Sequence, residues 1–367
     1  MLLHSSILRL LAGRLDKLAQ HHFFSQDLRE YLSELQSLLE KLRADYRNEA
    51  TSEVPSDALQ LIVESIWRAT QYLAGSTSNR TPYELVYALR KALEDWGLSD
   101  CIVTTSLMQS SDFLCERVSS APNDSIEQLL DIKLKFELVQ IALPEIFQHT
   151  PLFCTPLYHE IGHYVEERKR LVTGSLTAND QAWLECLPDA AFVTGIEDKT
   201  KRRKVALNLV TEHFCDVFAA SYIGPAASFY IEEWVPNQGP TETHPSTSKR
   251  IEVINAFLRE AKGPFIDMIR NIGRGNQEDS LLVKRFEEPE IETYFSDFRP
   301  CEISSIAQMH GIFPAALKQL KNSICDEKKT KAFPNREDLI LVVNDLTEKS
   351  IRNYMIRNAW NEPLDKT

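Results

Sequence analysis

The sequence predicts a mainly α protein with a small β-sheet, an α+β fold. Three observations carry this. Apolar residues recur at helical spacing over much of the chain, as in Leu28, Tyr31, Leu32, Leu35, Leu38, Leu39 and Leu42. Helix starts carry their own chemistry, as at Thr81-Pro82-Tyr83-Glu84, a capping box with Pro at the first helical position. Only two stretches read as strands, Cys101-Ile102-Val103-Thr104-Thr105 and residues 133–143.

Taken in order, Ile7, Leu8, Leu10, Leu11, Leu15 and Leu18 make an amphipathic first helix. Residues 1–20 lack the basic start and small-residue cleavage site of a secretory signal. The next helix covers 27–46. Its leucine stripe lasts only about two to three heptads, which favours core packing over a coiled coil. Helices over 55–75 and 81–97 follow, joined by a polar loop. The strand at 101–105 comes next, then 133–143, where the residues alone would equally allow a helix. Residues 151–168 read as helix, 173–180 as loop, 181–192 as a helical segment interrupted at Pro188, and 198–222 as a long helix. Residues 237–246, with two Pro and one Gly, form a loop able to wall a cleft, and 248–261 are helical. Residues 262–300 lose periodicity and gain charge, so 286–290 read as a surface connection. Residues 303–325 and 337–360 are helical again. These breaks suggest an N-terminal helical region (1–97), a core (98–262) and a C-terminal helical region (263–367).

With 43% hydrophobic and 26% charged residues, the composition is that of a soluble globular protein able to bury a core. A net charge of −12 argues against nucleic acid or an anionic membrane as partner, since both need a positive face. The cluster Lys199, Lys201, Arg202, Arg203 and Lys204 is the main exception. Glu197 and Asp198 adjoin it and no aromatic residues interleave, so it reads as a solvated helix start. Seven cysteines, scattered and without a C-x-x-C pair, point to a reducing compartment and a cytoplasmic location. No membrane span is expected. The longest apolar run, 214–231, carries Asp216 and breaks at Gly224-Pro225.

The chemistry concentrates at Tyr158-His159-Glu160-Ile161-Gly162-His163, which contains the pattern H-E-x-x-H. Residues four apart share a helix face, so His159 and His163 can hold one zinc ion between them. Glu160 lies on the rim of that face, where it can take a proton from a polarised water. A catalytic zinc needs a third protein ligand and an open position. The segment Glu212-His213-Phe214-Cys215-Asp216 offers two carboxylates four apart in an apolar helix, where a carboxylate needs a partner. One can bind the metal while the other accepts the free ring N–H of a ligand histidine. His213 points about 100° away from Glu212 on a helix and ranks as a neighbour. Cys154 and Cys215 read as small buried hydrophobes, with Cys215 a weaker alternative ligand. Thr243-His244-Pro245-Ser246 and Arg250 follow, placing a His and an Arg where they can line a cleft.

The order HExxH, ExxxD, THP and then Arg resembles the gluzincin metallopeptidases, most of all the group of the CAAX prenyl endopeptidases and the bacterial heat-shock membrane proteases. The resemblance covers roughly residues 150–256. It implies a zincin-like core with His159, His163 and Glu212 as zinc ligands and Glu160 as general base. Asp216 would support a ligand from behind, and His244 or Arg250 would help stabilise the oxyanion. It also implies that the strand before the metal helix is an exposed edge that an extended peptide can join. The chain departs from the membrane members in having no spanning helix.

The function expected is therefore a soluble zinc endopeptidase acting on a protein or peptide substrate. Tyr158 stands beside His244 and Arg250 as an alternative oxyanion donor. The competing reading is a non-catalytic, zinc-stapled helical scaffold that binds partners. In either case the helical flanks leave room for a regulatory partner.

Overall fold

The computed structural model describes residues 2–23, 25–47, 56–77, 82–110, 112–117, 126–128, 132–178, 180–274, 280–325 and 336–361. The chain forms two compact units, Met1–Val86 with Gly97–Gln148, and Tyr87–Trp96 with His149–Thr367. It is mainly helical with one small mixed sheet.

The first unit contains α1 (Leu2–Leu18), α2 (Gln26–Arg47) and α3 (Ser56–Gly75). Their leucine stripes meet in one core: Leu11, Leu15, Leu28, Leu35, Leu38, Ile62 and Leu73 are buried together with Ile102 and Leu138 of the sheet. The stripe of 28–42 is thus core packing, as its short length implied. Thr81 of the expected capping box lies outside the described residues. The sheet has β1 (Cys101–Met108), β2 (Leu114–Arg117) and β3 (Glu137–Pro144) in the order β1-β3-β2. β3 runs parallel to β1 and antiparallel to β2. The edge-strand expectation is therefore overturned. β3 is the middle strand, and its neighbours occupy both of its edges at Val139–Ala142. Leu138, Val139, Ile141 and Leu143 are all buried, the near-continuous apolar run of a strand covered on both faces. Gly75 lets the end of α3 come against the Thr105 carbonyl, and the Thr105 hydroxyl donates to the Gly75 carbonyl at 3.1 Å.

The second unit is built on one long helix. It begins in the C-terminal half of α4 (Tyr83–Asp95), followed after the sheet by α5 (Pro156–Lys169), α6 (Leu171–Ala178), α7 (Asp180–Cys186), α8 (Ala190–Thr194) and the long α9 (Lys199–Ile223). Then come α10 (Ala226–Glu233), α11 (Thr247–Leu258), α12 (Pro264–Arg274), α13 (Glu292–Ser296), α14 (Ile306–Cys325) and α15 (Arg336–Asn361). From Leu209 onward α9 is buried on nearly all sides. α5, α10, α11 and α14 pack around it. Its basic start is exposed, and Asp198 caps it by accepting from the Lys201 amide at 2.8 Å. It stops at Gly224, which has φ +52° and lies under the Phe286 ring.

Three expectations fail here. Of the expected loop 173–180, residues 173–178 are helical, because Glu166 accepts from the amides of Val172 at 2.8 Å and Thr173 at 3.2 Å and so starts α6. The stretch 262–300 is not free of periodicity, because Phe265, Ile266, Ile269 and Ile272 of α12 form a buried stripe. The divisions at 97/98 and 262/263 are not where the chain parts. The sheet belongs with the N-terminal helices, and α14 packs on α9. Among the described residues no helix is long and apolar enough to cross a membrane.

Candidate metal centre

The site forms where α5 crosses α9. The motif's Gly162 makes the crossing close, since a β-carbon there would stand 3.0 Å from Cys215 Cα and 3.2 Å from Cys215 Cβ. Cys215 faces Gly162 in the middle of α9. The carboxylates at Glu212 and Asp216 are thereby carried to the two histidines one turn apart on α5.

His159 Nε2 and His163 Nε2 are 3.1 Å apart. Glu212 reaches both, Oε2 lying 3.3 Å from His159 Nε2 and Oε1 3.3 Å from His163 Nε2. Bonds of about 2.0–2.1 Å in a tetrahedron put donor atoms about 3.3 Å apart, so these separations suit a small divalent cation. Either a ring proton shared between the two nitrogens or a cation between them can hold this approach. Glu212 is only 7% exposed, and its Oε2 has no hydrogen bond within the chain. A buried carboxylate oxygen without a hydrogen bond is costly, and the Arg250 guanidinium, with Nη2 3.8 Å away, meets it only in part.

Behind this group lies a second layer. His159 Nδ1 bonds Asp216 Oδ1 at 2.9 Å, which fixes the ring with Nε2 forward. Arg250 forks onto the same carboxylate, Nε to Oδ2 at 2.9 Å and Nη2 to Oδ1 at 2.7 Å. Burial alone would raise the Asp216 pKa, but Arg250 and His159 hold it well below the usual carboxylate range. Burial lowers the pKa of His159, and the carboxylates of Asp216 and Glu212 outweigh this to raise it to about 10. A metal taking Nε2 therefore displaces a proton.

The remaining candidates separate clearly. Glu160 is half-buried, next to His159 on α5. His244 is at the rim, with Nε2 3.9 Å from Glu212 Oε2 and a side chain 53% exposed. Its loop holds itself, the Thr241 hydroxyl accepting from the His244 amide at 3.0 Å. Tyr158 is not an oxyanion donor. It is fully buried, and its hydroxyl bonds His310 Nδ1 at 2.9 Å. His213 is buried against Phe265, away from the metal group, as a neighbour of Glu212 should be. Cys215 is closer to the histidines than a packing residue needs to be: His159, His163 and Cys215 offer ligand atoms all within 4.8 Å of one another. Burial and the nearby Glu212 and Asp216 push its thiol pKa well up, which disfavours the thiolate a metal requires. Glu212, an anion 3.3 Å from both rings, would suit a third-ligand role better than the Cys215 thiol.

Comparison with family models, curated proteins and solved structures finds no match.

Two features escaped the sequence reading. A cleft of about 550 Å³ opens beside the group, bounded by His163, Glu167 and Arg170 on one side and by Asn208, Thr211 and Glu212 on the other. Asp189 accepts from the Ser246 amide at 2.9 Å and from its hydroxyl at 3.1 Å, anchoring the start of the helix that bears Arg250. An Asp before a short helix is so common that no local signal marks it out.

Proposed function

We propose that this chain is a zinc-dependent endopeptidase. The observation that carries the reading is the triangle of His159 Nε2, His163 Nε2 and the Glu212 carboxylate, 3.1–3.3 Å on a side, with Glu160 adjoining it on the same helix. His159, His163 and Glu212 would hold the ion. When bound, zinc supplies a Lewis acid for a water and for the scissile carbonyl. Glu160 takes the proton of the attacking water and returns it to the leaving amine. His244, at the rim, donates to the developing oxyanion. Arg250 is spent on Asp216, so its part is to position: it fixes the carboxylate that orients His159. A scattered cysteine set suits a reducing, cytoplasmic setting.

The competing scaffold reading has one observation in its favour, the approach of Cys215 to the histidine pair. A purely structural site would close its fourth position with such a residue. The two readings part on Glu160→Gln, tested by zinc content and cleavage of casein and a peptide library. The peptidase keeps its zinc and loses cleavage by roughly 100-fold or more. A Glu160→Gln protein that cuts as well as the wild type overturns the proposal. Loss of zinc in Cys215→Ser, with no cleavage by the wild type, supports the scaffold.

A further inference from the structure

Resting on the peptidase reading of the cleft, we infer that Arg170 determines specificity, selecting substrates with a carboxylate within about three residues of the bond that is cut. Arg170 lines the same cleft as His163 and Glu212. It stands just past Lys169, the last residue of α5, and the six residues of helix from His163 to that end rise about 9 Å along the axis. An extended peptide advances about 3.3 Å per residue, which makes that distance about three residues.

Three facts turn this position into a recognition element. Arg170 is exposed, and among the described residues its guanidinium has no ion pair or hydrogen bond. Neither acid one turn back is paired with it: Glu166 is buried, its carboxylate committed to the amides of Val172 and Thr173 and to the Thr173 hydroxyl, and Glu167, which lines the same cleft, makes no ion pair with it. The backbone places Arg170 in the left-handed region at the end of α5, with φ 51° and its amide bonded to the Glu166 carbonyl. Helices commonly end there on Gly, and here the position carries a long cationic side chain at the cleft wall. A guanidinium is planar and matches a carboxylate with two parallel hydrogen bonds. The carboxylate can come from an Asp or Glu side chain or from a peptide C-terminus.

The test uses the full chain with Glu160→Gln, zinc-loaded, so that peptides bind without being cut. Alanine-based hexapeptide amides carry Glu or Gln at each position in turn, and the Gln set is repeated with a free C-terminal carboxylate. Binding is measured by fluorescence anisotropy. At least one carboxylate peptide is expected to bind about tenfold or more tighter than its Gln amide. The arm that does so identifies the source. Adding Arg170→Ala should erase the preference, and Arg170→Lys should keep part of it. Equal binding of Glu and Gln amides and of free and amidated termini overturns the inference, as does a preference that survives Arg170→Ala. Cleavage by the wild type is scored separately. Hydrolysis without carboxylate preference removes the subsite and leaves the peptidase, and the reverse result does the opposite.

Discussion

Gly162 lies against the backbone of Cys215, with little room for a larger residue: an added β-carbon would also stand 3.3 Å from the Cys215 sulfur. The proposed metal group depends on that contact, because it sets how near α9 brings Glu212 to the imidazoles. Gly162→Val should force the helices apart. Overpacking of this kind costs about 1–3 kcal/mol. The loss should be larger for metal affinity than for stability, since ligand separations of 3.1–3.3 Å tolerate little shift. Zinc affinity should fall by about tenfold or more in a chelator competition, while urea denaturation still shows a cooperative fold. A Gly162→Val protein with unchanged zinc affinity would show that the contact does not govern the site.

The parts of this arrangement that a reader could see in the sequence are the local ones. His159 and His163 share a face because helical spacing dictates it, and the buried setting of Glu212 and Asp216 follows from Phe214, Val217 and Phe218 around them. What depends on distant chain was hidden. Tyr158 adjoins His159 and carries a hydroxyl, yet His310 of α14 claims that hydroxyl inside the core. β3 became a middle strand because β2, only four residues long, pairs with it, and so short a segment has no readable period. Arg250 looked like a free donor until its fork onto Asp216 was visible. The leucine stripes marked the core well, but not which helices the sheet would join.

His310 predicts a pH dependence of stability. It is fully buried, and burial lowers its pKa from the ordinary 6.5 to about 3. Between those values the unfolded chain binds a proton that the native chain does not, so native stability is full above about pH 6.5 and falls as pH drops toward 3. The slope from one such group is at most about 1.4 kcal/mol per pH unit. His213, lowered by burial to about 4, adds the same sign over a shorter span. In His310→Phe the unfolding free energy between pH 6.5 and 4 should fall less steeply than in the wild type, by up to that single-group slope. Urea titrations at half-unit steps check this. Carboxylates titrate in both proteins and cancel in the difference. Parallel curves would mean that His310 takes up its proton inside the fold.

Asp189 should act on the metal from a distance. Its carboxylate accepts from the Ser246 amide at 2.9 Å and from the Ser246 hydroxyl at 3.1 Å, at the cap of α11. One turn on, Arg250 grips Asp216, which in turn orients His159. Asp189→Ala removes a charged acceptor from an amide and a hydroxyl that are largely shielded from water, a loss of about 1.5–3 kcal/mol. The start of α11 then gains freedom and the Arg250 fork loosens. Zinc affinity should drop by about tenfold, in the range found when partners behind a metal ligand are removed. Asp189→Asn keeps one acceptor oxygen and should fall between the two. Combining Asp189→Ala with Arg250→Ala should add little to the zinc defect of Arg250→Ala alone, because both act through one link. Full additivity in that double mutant would place the effect of Asp189 elsewhere in the unit.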